Sequence, residues 1–323
     1  MAANKPATMK AIRFHDYGGP EVLVYEDAPK PVPGPGELLV QVYAASVNPV
    51  DLMIRSGMLK EMIPHTLPLI PGWDVSGVVE AVGPDTPTYV VGDEVFGRCE
   101  ITGNGSFAEY AIAKPAALAI RPRFLDHTRA AAVPLAALTA WQAISLDRYE
   151  RSLRLASGQT IVIRGAAGGV GSFAVQFAKL RGARVAAVVL PEQAKFAREL
   201  GADIVIEEGR LRAKDVVKGA DAVLDLVGGP GLDELWDVLK PGSSLASTVA
   251  PITYEDGRKR GMHAIAVRAQ PNGEHLAEIA RLIDDRKVRV AVSEVIPLAE
   301  ARRAHELLAL GKTRGKIVIQ VTE

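Results

Sequence analysis

The sequence is short of the residues that most restrict function. Among 323 residues there is one cysteine, Cys99. That excludes an internal disulfide framework and any site built from several thiolates. Neither charge is in excess: 38 Lys+Arg stand against 38 Asp+Glu, which gives no electrostatic footprint for nucleic acid or an anionic membrane. No apolar run is long enough to cross a bilayer, and the longest, Ala130–Ile144, is interrupted by Pro134. The first residues, Met1–Thr8, are polar and lack the apolar core of a secretory signal. The six histidines (His15, His65, His127, His263, His275, His305) are scattered without metal-ligand spacing. These absences lead us to expect a cytoplasmic protein with neither a nucleic-acid nor a membrane partner.

What is present begins with enough apolar material, 48% of residues, for a sizeable core divided over about two domains. The most informative stretch is residues 161–179. Ile161, Val162 and Ile163 form a short β-branched run, the mark of a buried parallel strand. A glycine-dense turn comes next, after which Val170, Phe173, Ala174, Phe177 and Ala178 recur at helical spacing. Strand, glycine turn and helix together can hold a dinucleotide pyrophosphate. The helix N-terminus offers unpaired N–H groups and a favourable dipole. The strict fingerprint asks for glycine at 166, 168 and 171, and Ala166 fills the first slot. Ala167, Gly168, Gly169, Val170 and Gly171 are therefore the candidate phosphate contacts, the alternative being a tight turn without a ligand.

Residues 10 to about 128 read as β-rich, with strands at 9–14, 38–44, 75–82 and 93–96 punctuated by Gly and Pro. After Thr128 an Ala-rich helix over Ala130–Leu146 is expected, and strands then alternate with helices at 160–164, 184–189, 203–206, 221–226, 243–248 and 263–268. Six such strands suit a doubly wound parallel sheet. Helices over Leu276–Ile283 and Ala299–Leu310 and a strand over Lys316–Val321 complete the chain. The expected division is a β-rich domain of residues 1–128 and 268–323 and a dinucleotide-binding domain of residues 129–267.

Several ordered segments carry a family resemblance. They are Asn48-Pro49-Val50-Asp51 with Arg55-Ser56-Gly57, the run from Pro71 to Val79, and Val91 to Gly97. Gly105 to Tyr110, Val133 to Trp141, the glycine turn, and Gly311 to Ile317 complete the set. Over nearly its whole length the chain resembles the medium-chain dehydrogenase/reductase superfamily, and within it the zinc-independent quinone oxidoreductase and enone reductase branch. The resemblance implies an α/β protein: a GroES-like β-rich catalytic domain plus a doubly wound parallel Rossmann domain, with the nicotinamide in the cleft between them.

Zinc-dependent members place Cys near position 46 and His in the segment where this chain has Ser46 and Trp73. A catalytic zinc needs three protein ligands, so no metal is expected. Hydride addition to an already activated acceptor then remains, needing orientation and a hydrogen bond or two to the conjugated oxygen. The resemblance makes Asn48 and Asp51 candidates for the catalytic polar groups, with helix capping as the other reading. Met53 stands where many relatives have tyrosine, and Met53 and Trp73 are candidate pocket walls, with simple packing the favoured reading for Trp73. The resemblance also assigns Thr139, Val227, Gly228, Ser247, Val267, Arg268, Ala269 and Lys316 to the cofactor; a packed threonine and a solvated lysine are the alternatives at 139 and 316.

No carboxylate ends the second Rossmann strand at Val188–Pro191, which favours NADPH over NADH. The resemblance, in which related reductases place Ser, Lys or Arg near here, makes Lys195 and Arg198 candidates for its 2′-phosphate, or else they are solvated helix charges, and Glu192 argues against them. The expected activity is NADPH-dependent reduction of a small electrophilic quinone or enone by a homodimer. An enoyl-thioester reductase and a non-enzymatic NADPH-binding role are the alternatives.

Overall fold

The computed structural model describes residues 8–144, 152–249 and 251–322. The chain forms two compact units, one of Met1–Leu135, Pro271–Arg286 and Val290–Glu323, the other of Ala136–Gln270 with Lys287–Arg289.

The first unit is built on a seven-stranded sheet. Its strands run in the order Val292–Pro297, Lys316–Gln320, Leu38–Ser46, Asp74–Val82, Glu94–Arg98 and Leu118–Ile120, with Tyr110–Ala113 also paired to Leu38–Ser46. All pairs are antiparallel except the first, and irregularities at Leu39/Val40 and Val42/Ala44 distort the central pairing. Thr8–Arg13 pairs with Val24–Pro29 as a separate hairpin. Phe14, Leu38, Ile54, Trp73 and Phe107 close the core of this unit. Strand register brings Ser46 opposite Asp74, Asp74 opposite Arg98, and Ser46 opposite Val318. Cross-strand partners share a face, so polar groups collect at one end of four neighbouring strands.

The second unit is a six-stranded parallel sheet in the order Ile204–Glu207, Arg184–Val189, Thr160–Arg164, Ala220–Asp225, Leu239–Ser247 and His263–Ala266. Numbered along the chain this is 3-2-1-4-5-6, the Rossmann order. Ile161, Val162 and Ile163 are wholly buried, as their β-branched run implied. In helix Gly169–Leu180 four of the five residues of the expected apolar face, Phe173, Ala174, Phe177 and Ala178, are also buried, and Val170 is half-buried; Phe173 and Phe177 stack with centroids 6.0 Å apart, each burial contributing about 2–3 kcal/mol.

The Ala-rich segment departs from expectation. It is not one helix but two, His127–Ala131 and Pro134–Ile144. Proline at 134 has no N–H to continue the first helix but suits the first position of the next. Residues 145 and 146, the expected end of that helix, lie outside the described residues, as does most of Met1–Thr8. Ala131 and Ala132 pack with Ala44 and Val318, so the first unit runs past the expected boundary at 128. Among the described residues no helix is long and apolar enough to cross a membrane.

Candidate active site

Strand Thr160–Arg164 ends at Gly165, whose φ of +79° is a left-handed conformation that glycine adopts without strain. The tight turn thus rests on Gly165, one residue before the slot expected to need it, and Ala166 is simply buried behind it. Gly168 donates its N–H to the Gly165 carbonyl at 3.0 Å and caps helix Gly169–Leu180. A Cβ on Gly171 would lie 2.2 Å from the same carbonyl oxygen, so only glycine lets the helix approach the turn this closely. Helix geometry leaves the N–H groups of Gly169, Val170 and Gly171 without intrahelical acceptors. A dinucleotide pyrophosphate fits this cradle.

The adjoining loops are linked to one another. Asp225, wholly buried at the end of its strand, accepts the Val227 N–H at 3.3 Å, the Gly228 N–H at 3.0 Å and the Ser247 hydroxyl at 3.1 Å. Val267 donates its N–H to the Ser247 carbonyl at 2.8 Å. Val227, Gly228, Ser247 and Val267 therefore form one connected set at the carboxyl ends of adjacent strands, with Arg268 exposed and Ala269 half-buried beyond it. Thr139 is buried within helix Pro134–Ile144. Lys195 stands apart: its side chain is 90% exposed and its ammonium lies 3.8 Å from Glu199 on the same helix, the solvated alternative. The tip of the second strand is not free of acid either. Glu208 donates its N–H to the Val189 carbonyl at 2.8 Å, so the third strand delivers a carboxylate there.

In the first unit the polar row becomes a buried cluster. Asp74 accepts the Ser46 hydroxyl and the Asn48 amide through Oδ2, both at 2.8 Å, and the Leu135 N–H through Oδ1 at 2.9 Å. Lys316 donates to the Val47 carbonyl at 2.6 Å and to Asn48 Oδ1 at 2.5 Å, with Asp74 Oδ2 at 3.9 Å. Lys316 is thus buried, not a solvated strand end. Asn48 sits at the N-cap of helix Pro49–Arg55 while its amide is held by Lys316 and Asp74. Asp51 accepts the Asn48 N–H at 2.7 Å, so capping and clustering coexist. Asp51 Oδ1 is buried without a hydrogen-bond partner.

Burial acts oppositely on the two ends of the cluster. It pushes the Asp51 carboxyl up to about 8, against the Asn48 N–H and the Lys316 charge, and draws the Lys316 ammonium down. Native Asp51 therefore holds a proton that the unfolded chain releases near its ordinary value of 3.8. Its contribution to stability is full below that value and is lost as pH rises through about 8. Asp51→Asn is expected to flatten the decline in Tm between pH 5 and pH 8.5, roughly the interval over which this proton is linked to folding; an unchanged slope would remove Asp51 as its source.

Trp73, a candidate pocket wall or else a packed residue, takes the packed alternative: it is closed inside the core, 1% exposed, its indole N–H 3.3 Å from the Gly103 carbonyl. Met53 is half-buried in helix Pro49–Arg55. Sequence reasoning missed Asp74 and Arg98 as cluster members, although Asp74 opens one strand and Arg98 closes the next. The set does not fit zinc. Ser46 and Trp73 supply neither thiolate nor imidazole, a lysine ammonium already neighbours Asp74, and no three His, Cys, Asp or Glu among the described residues converge to hold a metal.

Known proteins are similar to this chain. The profile of the alcohol dehydrogenase GroES-like domain matches residues 34–123, and that of the zinc-binding dehydrogenases matches residues 200–319. The chain is 31% identical to the chloroplast envelope quinone oxidoreductase homolog of Arabidopsis thaliana, over 97% of this chain and 98% of that protein. It is 33% identical to the chloroplastic NADPH-dependent alkenal/one oxidoreductase of the same plant, over 98% of this chain and 81% of that protein. The structure of the quinone oxidoreductase from Coxiella burnetii superposes with a TM-score of 0.90 at 33% identity, covering 98% of this chain and all of that one.

Proposed function

Because the chain belongs to the medium-chain dehydrogenase/reductase superfamily, among its quinone oxidoreductases, we propose that it is an NADPH-dependent, zinc-independent reductase of quinones or of the C=C bond of α,β-unsaturated carbonyls. The single observation that carries this reading is the glycine cradle, whose closest approach only Gly171 allows. When bound, reduced nicotinamide supplies a hydride, and the acceptor's conjugation spreads the charge that arrives with it. The N–H groups of Gly169, Val170 and Gly171 bind the pyrophosphate, and Val227, Gly228, Ser247 and Val267 shape the neighbouring rim. Asn48 acts as a positioning residue, since Lys316 and Asp74 already hold its amide. Asp51 keeps a proton at its carboxyl to about pH 8, which suits a step that needs one proton for each hydride. Met53 gives a soft, polarizable contact in place of a phenol.

The name of the Arabidopsis alkenal/one oxidoreductase supports both NADPH and an enone acceptor. We also propose a cytoplasmic homodimer, on the balanced charge and on strand His263–Ala266, which ends its sheet.

The test is NADPH oxidation with a quinone, a short enone, an enoyl-thioester, and in reverse a simple alcohol with NADP⁺. Turnover of the quinone or the enone, a higher kcat/KM with NADPH than with NADH, and no alcohol oxidation are expected. Turnover of the thioester alone would replace the proposal with an acyl-chain reductase. Tight NADPH binding without any turnover would replace it with a carrier role.

A further inference from the structure

Arg164 is the last residue of the first Rossmann strand, and its guanidinium is almost closed from solvent. Its Nε and Nη2 donate to Glu208 Oε1 at 2.9 and 2.7 Å. Nη1 and Nη2 reach the Gly228 and Pro230 carbonyls, each at 2.9 Å, and Asp225 Oδ1 lies 3.7 Å away. Arg164 belongs to the first strand and Glu208 comes directly after the third, while the second runs between them. Arg164 is in register with Val188, and Glu208 bonds to Val189. The ion pair therefore spans the carboxyl end of the second strand. In a Rossmann sheet that is where the adenosine ribose is read: a carboxylate takes the 2′-hydroxyl, and an arginine accommodates the 2′-phosphate.

Here both groups are present and hold each other. We propose that the Arg164–Glu208 pair sets the choice between phosphorylated and unphosphorylated dinucleotide, Glu208 opposing the 2′-phosphate and Arg164 cancelling that opposition. Glu208 is the adjustable partner. Its side chain is 34% exposed against 8% for Arg164, and removing its charge leaves Arg164 bonded to Gly228 and Pro230 while turning the pair's Nε and Nη2 toward an incoming anion. The inference rests on the dinucleotide reading of the glycine cradle.

The experiment measures dissociation constants by fluorescence titration for NADPH and NADH, and by calorimetry for 2′,5′-ADP and ADP. The proteins are the wild type, Glu208→Gln and Glu208→Arg. The affinity ratio of phosphorylated to unphosphorylated ligand is expected to rise about tenfold for Glu208→Gln, which removes one negative charge, and further for Glu208→Arg, which puts a positive charge in its place. Arg164→Met is expected to lower the ratio. Folded Glu208 variants whose ratios stay within about twofold of wild type would reduce the pair to a structural clasp and overturn the proposal. A wild type that binds none of the four ligands would overturn the dinucleotide reading itself, and this proposal with it.

Discussion

Asp74→Ala is expected to destabilise the first unit by about 3–5 kcal/mol, the range for breaking a buried charge cluster by removing one partner. The side chain is wholly buried, and three donors converge on it: the Ser46 hydroxyl, the Asn48 amide and the Leu135 N–H. Without it, those donors lose their acceptor, and the Lys316 ammonium loses the acidic oxygen 3.9 Å away. Lys316→Met should cost a similar amount for the complementary reason. The double variant should cost less than the sum, because each single change strands a charge that the double change removes. Ser106→Ala is the control: its hydroxyl donates to the Asp74 backbone carbonyl at 2.6 Å, so it should cost only about 1 kcal/mol. Denaturant unfolding of the four variants measures all of this. A loss below about 1 kcal/mol for Asp74→Ala would mean that the cluster contributes no more than an exposed pair does.

Gly171→Val should abolish dinucleotide binding and destabilise the second unit by about 3 kcal/mol, at the upper end of ordinary overpacking. The added carbon would meet the Gly165 carbonyl at 2.2 Å and the Ala166 Cα at 2.6 Å. Both are backbone atoms of the turn, so neither can rotate away. Gly168→Ala separates packing from binding. Its Cβ would sit 3.4 Å from the Gly165 oxygen, at backbone angles that any residue adopts. The fold should survive that change, and pyrophosphate affinity should still fall about tenfold or more because the new methyl holds the phosphates off. Titration with NADPH alongside thermal melts distinguishes the two variants; normal affinity in Gly171→Val would contradict the cradle.

Where information is local, the sequence was readable. Ile161 to Ile163 and the apolar spacing of Val170 to Ala178 are contiguous, and both elements formed where expected. The six strands came from the alternation of strand and helix segments, whereas their order in the sheet is visible only in the structure. Reading failed where distant segments converge. Lys316 and Asn48 are separated by 268 positions, so nothing near Lys316 showed that it would be buried. Glu208 reaches the end of the second strand only because the third strand lies beside it in the sheet, so its approach is not visible along Val188–Pro191. Pro134 was visible, yet alanine on both sides masked its power to split one helix into two. Trp73 could be read as a pocket wall or as a packed residue, and its size and apolarity sent it into the core.

The most direct measurement of metal-free hydride delivery traces a label. Protein stripped of metal, with zinc verified far below one atom per chain, is mixed with 4,4-dideuterated NADPH and a short enone. Deuterium is expected at the β-carbon of the saturated product, at a rate that added zinc does not change. Product that forms only when zinc is restored, or that carries no deuterium, would contradict it.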